Sequence, residues 1–188
     1  MLPLLSMFAV AVLVQDPLTK SLVASAANVQ RVRLQVEVGH AVITNGADDT
    51  IGIEIRLESR DATRLAACAQ STVKSRVEDG ALIIRLDQPG RDHCGTRWTV
   101  KLPRAMALDA SVGVGDIDAT LAGRYSEISV RSNVGKVDLR VDGLQVASRR
   151  PPGPSDEARL SGGSGPALRL RSSVGNVKAS INRSDAGR

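Results

Sequence analysis

Val114-Gly115-Asp116-Ile117, Val134-Gly135-Lys136-Val137 and Val174-Gly175-Asn176-Val177 are three copies of one unit, Val-Gly-x-Val/Ile, each set between stretches of alternating apolar residues. Their glycines lie 20 and then 40 residues apart, a 20-residue step with one copy missing. A fixed period of this size marks an array or solenoid. Around the first copy, Leu108, Ala110, Val112 and Val114 alternate with small or polar residues. After Gly115-Asp116 the alternation resumes out of phase at Ile117, Ala119 and Leu121. The second copy reads Ile128, Val130, Ser132, Val134, then Val137, Leu139, Val141. The third reads Leu168, Leu170, Ser172, Val174, then Val177, Ala179, Ile181.

Strict alternation describes a strand with one buried face. A one-residue slip within a strand would turn every later side chain to the wrong face. The Gly-x pair is therefore read as a corner, with Gly115, Gly135 and Gly175 supplying backbone freedom and close approach. Each copy becomes two short strands around a bend, and stacked copies pair in parallel. The sequence thus predicts an all-β, single-domain parallel β-helix or β-solenoid with rungs of about 20 residues. The regular rungs span 108–182, after an irregular N-terminal part that contains a hairpin. The missing copy falls between Leu144 and Leu168, where Arg149-Arg150-Pro151-Pro152-Gly153-Pro154 replaces the corner and Arg159-Leu160-Ser161 resumes the rung. Proline cannot donate to a ladder, so Arg149, Arg150, Pro151 and Pro152 form a candidate interaction loop on the scaffold.

Outward from the repeat, Val32, Leu34, Val36 and Val38 alternate up to a looser corner at Gly39-His40, and Ile51, Ile53, Ile55 and Leu57 follow. Val29 to Glu58 reads as a first, irregular rung. Asp61 to Ala69 is the one short helix. Glu78-Asp79-Gly80-Ala81 between Val73–Val77 and Leu82–Leu86 is a hairpin signal. Thr96 to Pro103 is a strand stopped by proline.

These features together resemble the bacterial putative-adhesin β-solenoid domains, similar in style to the toast-rack and head-type adhesin domains of envelope proteins. The carriers are Trp98-Thr-Val-Lys-Leu-Pro103 and the three Val-Gly-x-Val/Ile corners, and the likeness extends over residues 30–182. The resemblance implies an exported or envelope-associated domain without an established enzymatic activity. It brings no catalytic, cofactor or metal residue to this chain.

The 188 residues suit one domain plus a leader. Aromatic residues make up only 2%, namely Phe8, Trp98 and Tyr125, so the core is built from Val, Leu, Ile and Ala. The net charge is +5, mostly from arginines scattered along the chain. Nucleic-acid binding asks for a basic patch with stacking aromatics or a known module, and the sequence displays neither. Acidic surfaces such as anionic lipid headgroups or polyanionic glycans remain compatible. Met1 to Val14 is too short an apolar run to span a bilayer and has the length of a signal-peptide core. Residues 1–26 are read as a leader, with Ala24-Ser25-Ala26 as the cleavage signal, and residues 27–188 as the solenoid domain. A basic start is missing, which fits an initiator placed too late. The competing reading is an uncleaved cytoplasmic protein. Export places the protein in the periplasm or cell envelope, with an envelope protein or glycan, or a second copy end to end, as partner.

Cys68 and Cys94 form a disulfide if the protein is exported and stay reduced if it is cytoplasmic. Metal binding by Cys68, His93 and Cys94 lacks zinc spacing and a fourth ligand. His40 and His93 sit in no nucleophile motif, and Ser164 lies in no Gly-x-Ser-x-Gly elbow. Asp118 and Asp138 stack in one column above Lys178. They carry the alternative function, a polysaccharide-binding or polysaccharide-cleaving enzyme on the same scaffold. The leading expectation is a non-catalytic structural or adhesive domain without cofactor or metal.

Overall fold

The computed structural model describes residues 10–16, 18–88, 94–104, 106–123, 125, 127–142, 158–160, 167–174 and 177–182, with backbone alone for 10–16 and beyond 157. In chain order the elements are β1 (Val10–Asp16), β2 (Thr19–Ser25), β3 (Arg31–Asn45), β4 (Thr50–Glu58), α1 (Ala62–Cys68), β5 (Thr72–Glu78), β6 (Ala81–Asp87) and β7 (Gly95–Leu102). The rest are β8 (Ala107–Val114), β9 (Ile117–Ala122), β10 (Glu127–Val134), β11 (Val137–Asp142), β12 (Ala158–Leu160), β13 (Ala167–Val174) and β14 (Val177–Asn182). The protein is all-β with one short helix, and its strands form one hydrogen-bonded network that does not close.

β3 belongs to both halves of that network. Its first half, Arg31 to Val38, lies between β6 and β8 in sheet B, ordered β5-β6-β3-β8-β10-β13-β12. Its second half, Gly39 to Asn45, lies between β7 and β9 in sheet A, ordered β1-β2-β4-β7-β3-β9-β11-β14. The strand changes sheet at Gly39, the looser corner in the sequence. The central strands of both sheets are parallel, and antiparallel strands flank them. Ile128 pairs with Leu108, and Val137 with Ile117, at an offset of 20 residues on both sheets. Val32, Leu34, Leu82 and Leu108 from sheet B meet Ile43, Trp98, Ile117 and Leu139 from sheet A in one buried cluster.

The corners explain the change of phase. Burial follows alternation through Val36 on β3, Val112 on β8 and Ser132 on β10, then resumes at Ala41, Ile117 and Val137. Val114 and Val134, expected inside, are 51% and 46% exposed because the chain is already turning. Gly39, Gly115 and Gly135 all take positive φ, at 154°, 134° and 142°. They stack so tightly that a Cβ on Gly115 would lie 1.7 Å from the Gly39 carbonyl oxygen, and one on Gly135 would lie 2.0 Å from that of Gly115. Hydroxyls satisfy carbonyls at the same level: Ser132 Oγ donates to Gly115 O at 2.8 Å and Thr96 Oγ1 to Val38 O at 2.7 Å. That explains polar residues which are almost fully buried at both positions.

Several local expectations match the structure. Asp79 and Gly80 have φ of 49° and 71°, as a two-residue hairpin turn requires, and β5 pairs antiparallel with β6. Asp61 caps α1, its side chain accepting from the Thr63 and Arg64 amides. Two expectations are corrected. Val29 to Glu58 is not one rung, because β4 pairs antiparallel with β2 and β7, away from β3. The 40-residue step hides no missing rung either. β10 pairs directly with β13 at an offset of 40, and β11 with β14. Ala158–Leu160 instead lies antiparallel on the far side of β13. The sequence between β11 and β13 holds four prolines, Pro151, Pro152, Pro154 and Pro166, none of which can donate to a ladder.

Gly115→Ala and Gly135→Ala should each destabilise the protein by about 3 kcal/mol, read as a lowered midpoint of denaturant unfolding. Gly52→Ala should unfold close to wild type, since its Cβ would meet only Lys101 Cβ at 3.8 Å.

Candidate functional site

On the outward face of sheet A, the register sets Asp118 beside Asp138, and Asp138 beside Lys178. His40 Nε2 lies 3.2 Å from Asp118 Oδ2, and Arg140 Nη2 lies 3.6 Å from Asp138 Oδ2. Asp138 Oδ1 is buried without a hydrogen-bond partner among the described residues. Adjacent parallel strands create this column, in which His40 of β3 contacts Asp118 and Arg140 contacts Asp138 of its own strand. No group of three or more His, Cys, Asp or Glu able to hold a metal occurs among the described residues.

Cys68 and Cys94 are disulfide-bonded, with Cα atoms 6.2 Å apart. The bond ties the end of α1 to the start of β7 and so closes the segment that holds the β5–β6 hairpin. Lys20 of β2 reaches the same region, its buried ammonium donating to Ala69 O at 2.9 Å. A cation at a helix C-terminus is favourable, so β2, α1 and the disulfide form one unit.

The turn from sheet A back to sheet B is built on Asn45 and Tyr125. Asn45 Nδ2 donates to the Tyr125 hydroxyl at 2.7 Å, and Asn45 Oδ1 accepts from Ala122 N at 2.6 Å. The hydroxyl donates in turn to Ala122 O at 3.3 Å. Burial pushes the Tyr125 phenol above the usual tyrosine range, and this outweighs the opposing hydrogen bond from Asn45 and the charge of Arg104.

Basic residues that are scattered in the sequence come together on the outward face of sheet B. One cross-strand row runs Lys74, Arg85, Gln35, Ser111, Arg131 and, by register, Arg171, without a carboxylate. In the neighbouring row Arg76 and Arg33 flank Ile83, and Arg33 Nε donates to Asp109 Oδ2 at 3.1 Å. Gln35, Lys74, Ser75, Arg76, Ile83 and Arg85 line a shallow cavity of about 160 Å³. Periodicity within one strand shows that Lys74, Arg85 and Arg131 point outward. It does not show that they share a row, because their strands are distant in sequence.

Of the residues singled out in the sequence, Cys68, Cys94, Gly115 and Gly135 occupy the positions just described. Gly175, His93, Ser164 and the segment with Arg149, Arg150, Pro151 and Pro152 lie outside the described residues. Trp98 and Tyr125 are buried, at 1% and 2% exposure, and offer no platform for stacking a sugar or base. Among the described residues, no helix is long and apolar enough to cross a membrane.

No protein-family model and no curated protein matches the chain. Solved structures do. One is described as a putative cell adhesion protein from Clostridium sporogenes, 9% identical, covering 87% of this chain and 98% of its own, with a TM-score of 0.48. A putative adhesin from Parabacteroides merdae is 17% identical over 66% of this chain and 52% of its own, with a TM-score of 0.35. A putative adhesin from Bacteroides fragilis is 10% identical over 86% of this chain and 96% of its own, with a TM-score of 0.27. These descriptions are of the class that the corner units resemble.

Two measurements check this geometry. The cysteines lie 26 residues apart, so reduction of the disulfide should cost about 3.5 kcal/mol in unfolding free energy. The single tyrosine should form tyrosinate only above its ordinary value near pH 10. Its contribution to stability is therefore complete below pH 10 and lost as pH rises through the higher folded-state value. Tyr125→Phe should cost about 1 kcal/mol at neutral pH and make unfolding less sensitive to pH in that alkaline range.

Proposed function

We propose that the protein is a non-catalytic, exported adhesive or structural module of the cell envelope, built as a β-solenoid whose rungs are β3, β8–β9, β10–β11 and β13–β14. The observation that carries this reading is the 20-residue register repeated on two sheets through stacked glycine corners. Such an array makes long, rigid faces suited to presentation and contact. In the outward column of sheet A, Asp118 contacts His40 and Asp138 contacts Arg140.

The docking edge is β14. Its sheet-B companion β13 has β12 on its far side, whereas β14 pairs only with β11 among the described strands. An unpaired edge is a template for another strand, so a second copy or an envelope protein adds here. The leader belongs to the same reading. β2 pairs with β4 over seven residues and buries Leu22 and Ala24. Removal of all of residues 1–26 would take β2 away, so we place the cut before Thr19 rather than after Ala26.

Size-exclusion chromatography at increasing concentration should reveal association. Proline at Ala179 or Ser180, adjacent positions whose amides point to opposite sides, should abolish it in one of the two variants. A strict monomer at every concentration would remove the self-docking version. Mass spectrometry of the mature protein should find its N-terminus upstream of Thr19. A full-length cytoplasmic chain would overturn export. Release of reducing ends from an envelope polysaccharide that is lost in Asp118→Asn would overturn the non-catalytic reading.

A further inference from the structure

We propose that the outward face of sheet B binds an acidic, linear polysaccharide, with the Lys74–Arg76–Arg85 concavity as its anchoring subsite. The inference deepens the adhesive reading and rests on it for the location of the glycan, but it uses a different surface from the β14 edge.

The row Lys74, Arg85, Gln35, Ser111, Arg131 crosses five strands, and Arg171 occupies the register position on a sixth. Neighbouring strands lie about 4.8 Å apart, so the row from Lys74 to Arg131 extends for about 19 Å, with Lys74 and Arg85 at one end, Arg131 at the other and hydrogen-bonding groups between them. Lys74 and Arg85 have no acidic partner among the described residues. Arg131 Nε donates to the neutral Asn133 Oδ1 at 3.1 Å and has no acidic partner among the described residues. In the outward row on one side Asp109 is engaged by Arg33, and on the other side Asp87 of β6 and Glu37 of β3 occupy the next outward positions after Arg85 and Gln35. Within the row itself the cations are interrupted only by neutral Gln35 and Ser111.

At one end of the line the surface dips. Lys74, Arg76 and Arg85 surround Ile83, which is only 8% exposed although it sits on the outward side of its strand. The cavity of about 160 Å³ has room for a carboxylate or sulfate group with part of a sugar ring. Arginine suits such groups because its guanidinium can donate two parallel hydrogen bonds. An extended polymer with one acidic group per residue can place one anion in the cavity and others along the row towards Arg131.

Among the described residues the face carries no exposed large apolar or aromatic side chain. The exposed large apolar residues among those described are Val23, Val77, Val114 and Val134, and none lies in these rows. With Trp98 and Tyr125 buried, the described residues offer neither an interfacial aromatic anchor for a membrane nor a stacking platform for unpaired bases.

The experiment uses the full chain and a uronate homopolymer, polygalacturonate, with neutral dextran, anionic phospholipid vesicles and duplex DNA as comparison ligands. Binding is measured by calorimetry at low and at physiological salt. Polygalacturonate should bind with an affinity that falls as salt rises, and dextran should not bind. The triple variant Lys74→Gln, Arg76→Gln, Arg85→Gln should weaken binding at least tenfold with an unchanged unfolding midpoint. Arg56→Gln, Arg97→Gln, Arg140→Gln on sheet A changes net charge equally and should retain most of the binding. Equal losses in the two triples, no binding of polygalacturonate at low salt, or tighter binding of DNA or vesicles than of polygalacturonate would each overturn the proposal. The proline variants of β14 should bind polygalacturonate normally, so edge docking and glycan binding fail separately.

Discussion

The structure depends on the approach of one backbone to the next at the corners. Gly39, Gly115 and Gly135 bring main chains so close that no Cβ fits between them. That contact sets the spacing of the parallel strands where both sheets meet, with β8 held in register on β3 and β10 on β8. Ser132 and Thr96 are buried beside the same ridge because carbonyls drawn into a tight corner need donors. Val114 and Val134 are exposed for the same reason, since they lie where the backbone has begun to rotate.

A scaffold fixed in this way separates folding from recognition. The inward positions are filled by aliphatic side chains that tolerate little change. The outward positions carry different chemistry on the two sheets: on sheet A the column Val42, Asp118 and Asp138, with His40 reaching Asp118 from the preceding outward position, and on sheet B rows rich in arginine. The corner residue between glycine and the next apolar position varies as well. Asp116 accepts from the Lys136 amide at 2.7 Å, which links one corner to the next by a side chain.

Much of the local structure was legible in the sequence because its causes are local. Asp79-Gly80 dictates a turn, Asp61 caps a helix, and the change of phase at Gly115 and Gly135 marks a bend. What escaped was neighbourhood. A period of 20 shows that β8 and β10 are adjacent, yet nothing in it shows that β6 and β7 take the opposite side of β3, since those strands carry no copy of the corner unit. The 40-residue step looked like a degraded rung because spacing cannot distinguish a poor rung from a segment that leaves the stack. The arginine rows were hidden for a similar reason. Arg85 and Gln35 become neighbours through an offset of 50 residues, and Ser111 joins them through one of 76. The pairing of Asn45 with Tyr125 has no sequence signal beyond the rarity of aromatic residues.

The position of β3 also has a kinetic consequence. It is the first of the parallel strands to be synthesised, yet it ends in the middle of both sheets, with partners from later in the chain on each side. A nascent chain therefore carries a fifteen-residue strand with two open edges until residues beyond 80 and then beyond 106 have emerged. Contacts of such sequence separation form slowly, and an unsatisfied apolar strand in the interval invites pairing with other chains. β3 alternates apolar residues with Arg31, Arg33, Gln35 and Glu37, and charge on a waiting edge opposes such pairing. Those side chains thus protect the unfinished molecule as well as furnishing the surface of the finished one.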